Sequence, residues 1–219
     1  MKKRTLIQWL GLLGIVSLLS YTAAVLFAPS AYPGYDWVTQ AVSDLSAQNA
    51  PSRMLWDRLT ALYEPCGIAA LMLSLLYVQG KLNRLIRIGI DLFVIMNWIS
   101  AVGYAMFPLS DSGYAGTFTD IMHVYVITAP VVALSVASLT LIIIGGFRKR
   151  QCISLAVWGC VALGMMLAGA VGTSALPQIF GVMERFSLFA ATGFTAVLGV
   201  YLFNGFAEKQ AYGMSGKRI

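Results

Sequence analysis

Charged residues are scarce in this sequence, and their scarcity excludes a soluble globular protein. They make up 11% of the 219 residues, whereas hydrophobic residues make up 58%. A soluble domain carries about 25% charged residues and at most about half apolar ones. The few charges also cluster, so long apolar stretches contain none. These proportions indicate a protein that lies largely within a membrane.

Histidine and cysteine are scarce as well. The chain has one histidine, His123, and three cysteines, Cys66, Cys152 and Cys160. The cysteines lack the spacing of a metal site and fall within apolar stretches, so we expect buried structural thiols. A single histidine excludes the membrane hydrolases that are built on several histidines. The sequence also lacks the G-x-S-x-G elbow that presents a nucleophilic serine.

What the sequence does contain is six apolar runs, each long enough to cross a bilayer. One crossing takes about 20 apolar residues in a helix, which satisfies its own backbone hydrogen bonds in lipid. The runs cover approximately residues 6–28, 55–79, 86–107, 119–145, 152–176 and 180–206. We therefore predict an all-α fold, a polytopic six-helix transmembrane bundle in which residues 1–219 form one domain. The first run is longer than a signal-peptide core, so we expect an uncleaved first helix.

The basic residues indicate an orientation rather than a nucleic-acid partner. Twelve of the fifteen lie near the N-terminus, after the second run, after the fourth run or in the C-terminal tail. Cytoplasmic loops carry an excess of Lys and Arg, which predicts a cell-membrane protein with both termini in the cytoplasm. Seven of the nine acids then belong to the outer half. We expect membrane lipids as partners and no nucleic acid, and we leave the oligomeric state open.

Residues 29–54 form the longest mixture of polar and apolar residues in the chain. Within them Trp37, Ala41, Val42 and Leu45 recur at helical spacing. This pattern favours a short amphipathic helix in an outer segment that covers the bundle.

The three hairpins on the outer side share a pattern. The first, third and fifth helices are each followed by a proline, and each returning helix begins near an acid. These acids are Asp57, Asp120 and Glu184. Proline ends a helix and the helix dipole stabilises a first-turn acid, so the pattern needs no function to explain it. Two of the acids precede an arginine, Arg58 or Arg185, which could pair across helices or hold a phosphate or carboxylate.

Asp120 and His123 form the candidate catalytic pair. Residues three apart in a helix share a face. The carboxylate could then accept a hydrogen bond from one imidazole nitrogen and determine which nitrogen stays free. Such a pair could serve as a general base, a metal ligand or a proton sensor, or it could only stabilise the structure locally.

Two more specific sites remain as alternatives. A Zn²⁺, Mn²⁺ or Ca²⁺ ion could be held by residues from separate elements. Its candidate ligands are His123, Asp120, Asp44 and Glu184. Alternatively, Ser43 could complete a serine–histidine–acid set, although an ordinary loop or helix-cap serine explains it equally well. The sequence leaves the identity of any cofactor open.

Glu64 is an acid that we expect to be buried within the bundle. It follows Asp57 by seven residues, which places it on the same helical face and about 10 Å deeper. We expect it to point into the bundle, where it either pairs with Arg58 or Arg185 or stays protonated.

Three segments resemble a known family. They are "YPGYDWVTQAVSDLSAQNAP" after the first helix, "MFPLSDSGYAGTFTDIMH" before and into the fourth, and "GVMER" into the sixth. In order and spacing they are similar to the bacterial and archaeal six-helix membrane family named domain of unknown function 998. The resemblance implies a six-helix bundle with polar residues gathered at the outer face, and it implies no activity. Those residues are Ser43, Asp44, Asp120, His123, Glu184 and Arg185.

The leading functional hypothesis is binding in an outward-facing polar pocket. The ligand would be a lipid headgroup or a small polar molecule. The candidate ligand-binding residues are Asp44, Asp57, Arg58, Glu64, Glu184 and Arg185. One alternative is a membrane hydrolase that uses Asp120 and His123. Another is a small-molecule or cation transporter, although Asp91 and Asn97 are too sparse to line a path through the inner half.

Overall fold

The computed structural model describes residues 3–149 and 152–206, and every regular element within them is helical. The α-helices are α1 (Leu6–Leu10), α2 (Leu13–Phe27), α3 (Arg53–Leu59), α4 (Tyr63–Val78), α5 (Arg84–Met106), α6 (Phe118–Ile121), α7 (Ala129–Phe147), α8 (Ile153–Ala175) and α9 (Phe180–Phe203). Short 3₁₀ turns cover Ala28–Ala31, Ser43–Ser46 and Pro177–Ile179. A π-helix covers Met122–Thr128.

Six stretches of the described chain are long and apolar enough to cross a membrane. These spans are Leu6–Ala31, Arg53–Val78, Arg84–Met106, Phe118–Phe147, Ile153–Ala175 and Pro177–Phe203. They confirm the predicted fold class, and their ends differ from the predicted ones by three residues at most. The protein is therefore a multi-pass helical membrane protein.

The spans form a closed ring. Each packs against the next in chain order, the sixth packs against the first, and the sixth also contacts the second. The connections gather at two ends. We call residues 28–52, 107–117 and 176–179 the loop end, and residues 3–5, 79–83 and 148–149 the basic end. Some residues used for the predicted orientation lie outside the described part: Lys2, Arg150, Glu208, Lys209, Lys217 and Arg218.

The interior of the ring is apolar and closely packed. Phe93 of α5 and Phe194 of α9 meet edge to face with ring centroids 5.3 Å apart. Helices α8 and α9 approach each other closely at Gly169. A Cβ atom at this position would lie only 2.7 Å from the Met183 carbonyl oxygen. Such packing supplies much of the association energy between helices in lipid, and it holds α9 in a fixed position at the loop end.

The amphipathic helix expected over residues 37–45 is not formed. Residues 35–42 make turns and bends, followed by the single 3₁₀ turn Ser43–Ser46. The reason is competition for backbone groups. The Asp36 carboxylate accepts from the Val38 backbone N–H at 2.9 Å, and Arg185 takes the Trp37 carbonyl at 2.9 Å.

The fourth span changes its winding where it enters the membrane. The π-helix Met122–Thr128 ends two residues before Pro130, which has no N–H and whose ring crowds the carbonyl four residues earlier. The Thr128 hydroxyl donates to the His123 carbonyl at 2.8 Å, so a side chain satisfies this acceptor in the widened turn. This winding sets the direction of the His123 side chain.

Two smaller expectations need correction. Of the three acids expected at helix starts, Asp120 lies in the first turn of its helix, whereas Asp57 and Glu184 do not. Their positions therefore need an explanation other than the helix dipole. The cysteines are free thiols, but Cys160 is exposed, Cys66 is half-buried and only Cys152 is buried.

Candidate functional site at the loop end

Arg185 holds residues 35–42 against the sixth span. It lies in the second turn of α9 and is only 4% exposed. Its Nη1 donates to the carbonyl oxygens of Trp37 at 2.9 Å and Gly181 at 2.7 Å, and its Nη2 donates to the Tyr35 hydroxyl at 2.8 Å. The guanidinium also lies 4.0 Å from the centre of the Trp37 ring. Arg185 therefore holds the loop segment, and these bonds occupy both of its terminal nitrogens.

Neighbouring residues of α9 reinforce this contact. A Glu184 carboxylate oxygen accepts from the Val42 backbone N–H at 2.5 Å. The Val182 N–H donates to the Val38 carbonyl at 3.3 Å. Any Cβ atom at Gly181 would collide with the Gln40 carbonyl oxygen, so the glycine permits the close approach. The G-V-M-E-R segment thus binds the backbone of residues 37–42.

Asp44 joins residues 28–52 to residues 107–117. It is 5% exposed. One carboxylate oxygen accepts from the Ala41 N–H at 3.2 Å and the other from the Gly113 N–H at 2.8 Å. The Ser112 hydroxyl donates to the Asp44 carbonyl at 3.2 Å. Because its carboxylate is buried and satisfied on both oxygens, Asp44 stabilises the connection between the two loops.

Asp120 fixes the loop that precedes the fourth span. It is fully buried and forms a capping box with Thr117, in which each side chain binds the other residue's N–H. Its Oδ1 also accepts from the Ser110 backbone N–H at 2.8 Å, and the Ser110 hydroxyl lies 3.0 Å from both carboxylate oxygens. These bonds occupy the carboxylate completely.

His123 bonds to the loop backbone rather than to Asp120. Its Nδ1 lies 2.8 Å from the Phe107 carbonyl oxygen. A carbonyl can only accept, so Nδ1 carries the proton and Nε2 is the free nitrogen. The ring packs against Tyr104 with centroids 4.6 Å apart. The hydrogen bond expected between Asp120 and His123 is therefore absent from the described contacts, although the two residues occupy the predicted location.

The candidate metal ligands are not brought together. Among the described residues no group of three or more His, Cys, Asp or Glu side chains could hold a metal ion. The expected set of His123, Asp120, Asp44 and Glu184 does not assemble, because all three of its carboxylates bind backbone N–H groups instead. Each of these acids is thus engaged by the backbone of a loop.

Ser43 opens the 3₁₀ turn Ser43–Ser46, and its carbonyl accepts from the Ser46 hydroxyl at 3.0 Å. It is half-buried. The described contacts include no hydrogen bond between Ser43 and His123. A catalytic role for Ser43 stays a prediction, as do catalytic roles for Asp120 and His123.

The expected arginine–acid pairs are replaced by others. Asp57 pairs with Arg53 at 3.2 Å within α3, and both side chains are well exposed. Arg58 is exposed and has no hydrogen bond or ion pair among the described residues. Arg185 is occupied by the contacts described above. Glu64 therefore has neither of the arginine partners expected for it.

Glu64, in the second span, is an acid without a partner among the described residues. It lies in the first turn of α4, is half-buried, and makes no hydrogen bond or ion pair within the described chain. It precedes Leu71 by seven residues, and residues at this spacing lie on the same helical face. Leu71 is fully buried in the core. Glu64 therefore lies on the bundle-facing side of α4.

Several polar residues within the spans were missed by sequence reasoning. Tyr21 and Tyr63 pack with ring centroids 4.7 Å apart, and the Tyr104 hydroxyl lies 2.9 Å from the Thr128 hydroxyl. Tyr104 also lies within electrostatic range of Tyr63 and Glu184. We call the whole set the polar layer: Tyr21, Tyr63, Glu64, Tyr104, His123, Thr128 and Glu184. Tyrosines inside apolar runs were the available signal, since a buried tyrosine hydroxyl needs a polar partner.

Tyr35 and Asp36, outside the spans, have shifted pKa values. Burial raises the pKa of Tyr35 to about 12, although the positive charge of Arg185 opposes the shift. Tyr35 is therefore protonated at neutral pH, and its hydroxyl donates to the Ala41 carbonyl at 2.7 Å. Hydrogen bonds from the Thr39 hydroxyl and the Val38 N–H lower the pKa of Asp36.

The fold and the site together define a class: polytopic helical membrane proteins whose loop end is held closed by buried polar side chains. The chain belongs to the family described as protein of unknown function (DUF998), whose model matches residues 15–201. Comparisons with curated proteins and with solved structures give no match. The family assignment agrees with the resemblance noted from the sequence and assigns no activity.

Proposed function

We propose that the protein lies in the cell membrane with its loop end outside, and binds a small polar ligand in the polar layer. The basic end would face the cytoplasm, as the distribution of Lys and Arg supports. The ligand would carry a positively charged nitrogen, either on a lipid headgroup or on a free small molecule. This proposal refines the hypothesis drawn from the sequence.

One observation carries the proposal: Glu64 has no hydrogen-bond or ion-pair partner in the described part of the chain. Ionisable residues inside membrane spans are costly and are usually paired, so an unpaired one is a functional candidate. Unpaired, Glu64 requires either a proton or a cation beside it. A ligand that brings an ammonium group would satisfy this requirement.

The composition of the polar layer favours a cation over an anion. Glu184 adds a second acid to the polar layer, and the tyrosine rings can bind an ammonium group through their faces. The arginine nearest to them, Arg185, already donates to carbonyl oxygens. These bonds make Arg185 a weaker candidate for holding an anion, and Arg58 is exposed on α3.

The hydrolase remains the second proposal. In its favour, the Phe107 carbonyl orients His123 and leaves Nε2 free to accept a proton. Against it, Asp120 cannot support the imidazole because its oxygens bind Ser110 and Thr117. Transport has less support, because Asn97 of the third span bonds to its own helix, at the Phe93 carbonyl.

Titration of purified protein with amines tests the binding proposal. Ethanolamine and choline serve as free probes, and phosphatidylethanolamine in nanodiscs serves as the lipid probe, with diacylglycerol nanodiscs as the reference. Glu64→Gln should weaken binding of the recognised probe by roughly 10- to 100-fold, the range for a hydrogen bond to a charged group. Binding of the free amines would identify a soluble ligand, and binding confined to phosphatidylethanolamine would identify a headgroup.

The matched control is Asp57→Asn, which removes an exposed acid of the same span. It should leave binding unchanged. Equal affinities of wild type and Glu64→Gln, or no binding of any probe by the wild type, would refute the proposal.

A further inference from the structure

A second site lies in an apolar groove between the first, fifth and sixth spans. The groove has a volume of about 500 Å³, within the usual range for ligand pockets. Helices α2 and α8 both pack on α9 and leave this space between them. Its walls include Ile15 and Leu18 of α2, Trp158 of α8, and Phe189 and Gly193 of α9.

The length of the groove fits one leaflet of a bilayer. Along α9 its lining extends from Phe189 to Tyr201, and twelve residues of helix rise by about 18 Å. Half of the hydrocarbon core is about 15 Å thick. The Tyr201 end lies towards the basic end of the bundle, so the groove occupies the leaflet on that side.

The groove changes from apolar to polar at the position expected for a headgroup. At its Tyr201 end, the Tyr201 hydroxyl donates to the Ser154 hydroxyl at 2.6 Å, in an exposed position. Phe203 lies two residues beyond Tyr201 on α9. The Arg4 guanidinium lies 4.1 Å from the centre of the Phe203 ring. Arg4 is exposed, and within the described chain only its Nε makes a hydrogen bond, to the Phe203 carbonyl. Its terminal nitrogens remain available to a phosphate.

We propose that this groove binds one acyl chain of a phospholipid, with the lipid phosphate beside Arg4. A second protein copy would also need apolar surface, but it would not account for a cationic side chain at the polar end of the groove. A phospholipid accounts for the apolar walls, the length of one leaflet and the nearby positive charge. This lipid site is separate from Glu64 and independent of the proposed function.

Gly193 and Gly164 offer a matched pair of variants. A Cβ atom at either glycine meets no atom within 4 Å, so both positions have room for a larger side chain. Gly193 lines the groove and Gly164 does not. Gly193→Phe therefore fills the groove, and Gly164→Phe makes the same chemical change on a surface outside it.

The experiment is native mass spectrometry of delipidated full-length protein titrated with phosphatidylglycerol. The wild type should bind one lipid more tightly than the rest. Gly193→Phe should weaken this binding at least about tenfold, which corresponds to about two buried methylene groups, and Gly164→Phe should retain it. Arg4→Gln should weaken phosphatidylglycerol binding without affecting diacylglycerol.

Three results would overturn the inference. The first is equal lipid retention by the wild type and Gly193→Phe. The second is a wild-type dimer that Gly193→Phe converts to a monomer, because the occupant would then be a second copy. The third is unchanged phosphatidylglycerol binding by Arg4→Gln, which would remove the phosphate from beside Arg4.

Discussion

Replacing Arg185 by Gln should release residues 35–42 from the sixth span. The guanidinium donates to the backbone of residues 37, 40 and 181 and to the Tyr35 hydroxyl. Each hydrogen bond to a charged group contributes about 1.5–3 kcal/mol, and removing one partner of a buried charged interaction costs about 3–5 kcal/mol. A loss of about 3 kcal/mol in the local opening free energy is therefore a conservative expectation.

Hydrogen exchange measured by mass spectrometry reports this opening directly. Exchange from locally opened states follows the opening free energy, and about 1.4 kcal/mol corresponds to a factor of ten. Peptides covering residues 35–45 should therefore exchange about a hundredfold faster in Arg185→Gln. The Val42 amide, which donates to Glu184, should be among those affected.

The control for this prediction is Arg84→Gln, which removes an exposed charge near the basic end. This variant should leave amide hydrogen exchange of residues 35–45 unchanged. The amides in the core of α9 should stay protected from exchange in both variants. An increase of less than tenfold in Arg185→Gln would mean that Arg185 does not hold the segment.

Two further predictions concern single acids. Asp120→Ala should reduce the free energy of unfolding by about 1–3 kcal/mol, because the Ser110 N–H loses its acceptor. Thermal unfolding in detergent should show the loss, and an equal loss in the exposed-acid variant Asp111→Ala would contradict this account. For Asp36 the folded-state pKa is lowered by the hydrogen bond from Thr39, so the turn is stable above the unfolded-state pKa and opens as the pH falls through the folded-state pKa. An NMR titration of the Thr39 amide with a midpoint at or above that of an ordinary aspartate would contradict it.

The transmembrane architecture was predictable because it depends on composition and run length. A bilayer imposes one requirement on every span, about 20 apolar residues, and each of the six runs meets it. The predicted and observed ends of the spans differ because polar residues such as Arg53 and Arg84 can begin a helix in the membrane–water interface. Hydropathy does not mark the end of a helix there. Residues 35–42 were predicted incorrectly, because an amphipathic pattern says nothing about whether a distant arginine will take their carbonyl oxygens.

Five residues that the sequence singled out lie at or near the loop end, but their contacts were not predicted. The sequence singled out Asp44, Asp120, His123, Glu184 and Arg185, and all five bond to loop or helix-end backbone groups. Backbone groups are present at every residue and leave no signature in a sequence, so their role as partners could not be predicted.

The spacing of Asp120 and His123 was misleading for a different reason. Residues three apart share a face of an α-helix, but the winding changes to a π-helix at Met122. Pro130 was the signal that could have indicated this distortion, because a proline inside a helical run disturbs the turn before it. With the turn widened, His123 bonds to Phe107 and Asp120 to Ser110.

Arg185 attaches residues 35–42 largely through main-chain oxygens, and this has an evolutionary consequence. A carbonyl oxygen is the same whichever side chain its residue carries, so substitution of the exposed residue Val38 should not weaken the attachment. Selection could then alter the surface of this segment independently of its anchoring. Homologous proteins could thus carry different exposed side chains on this segment while its backbone contacts stay the same.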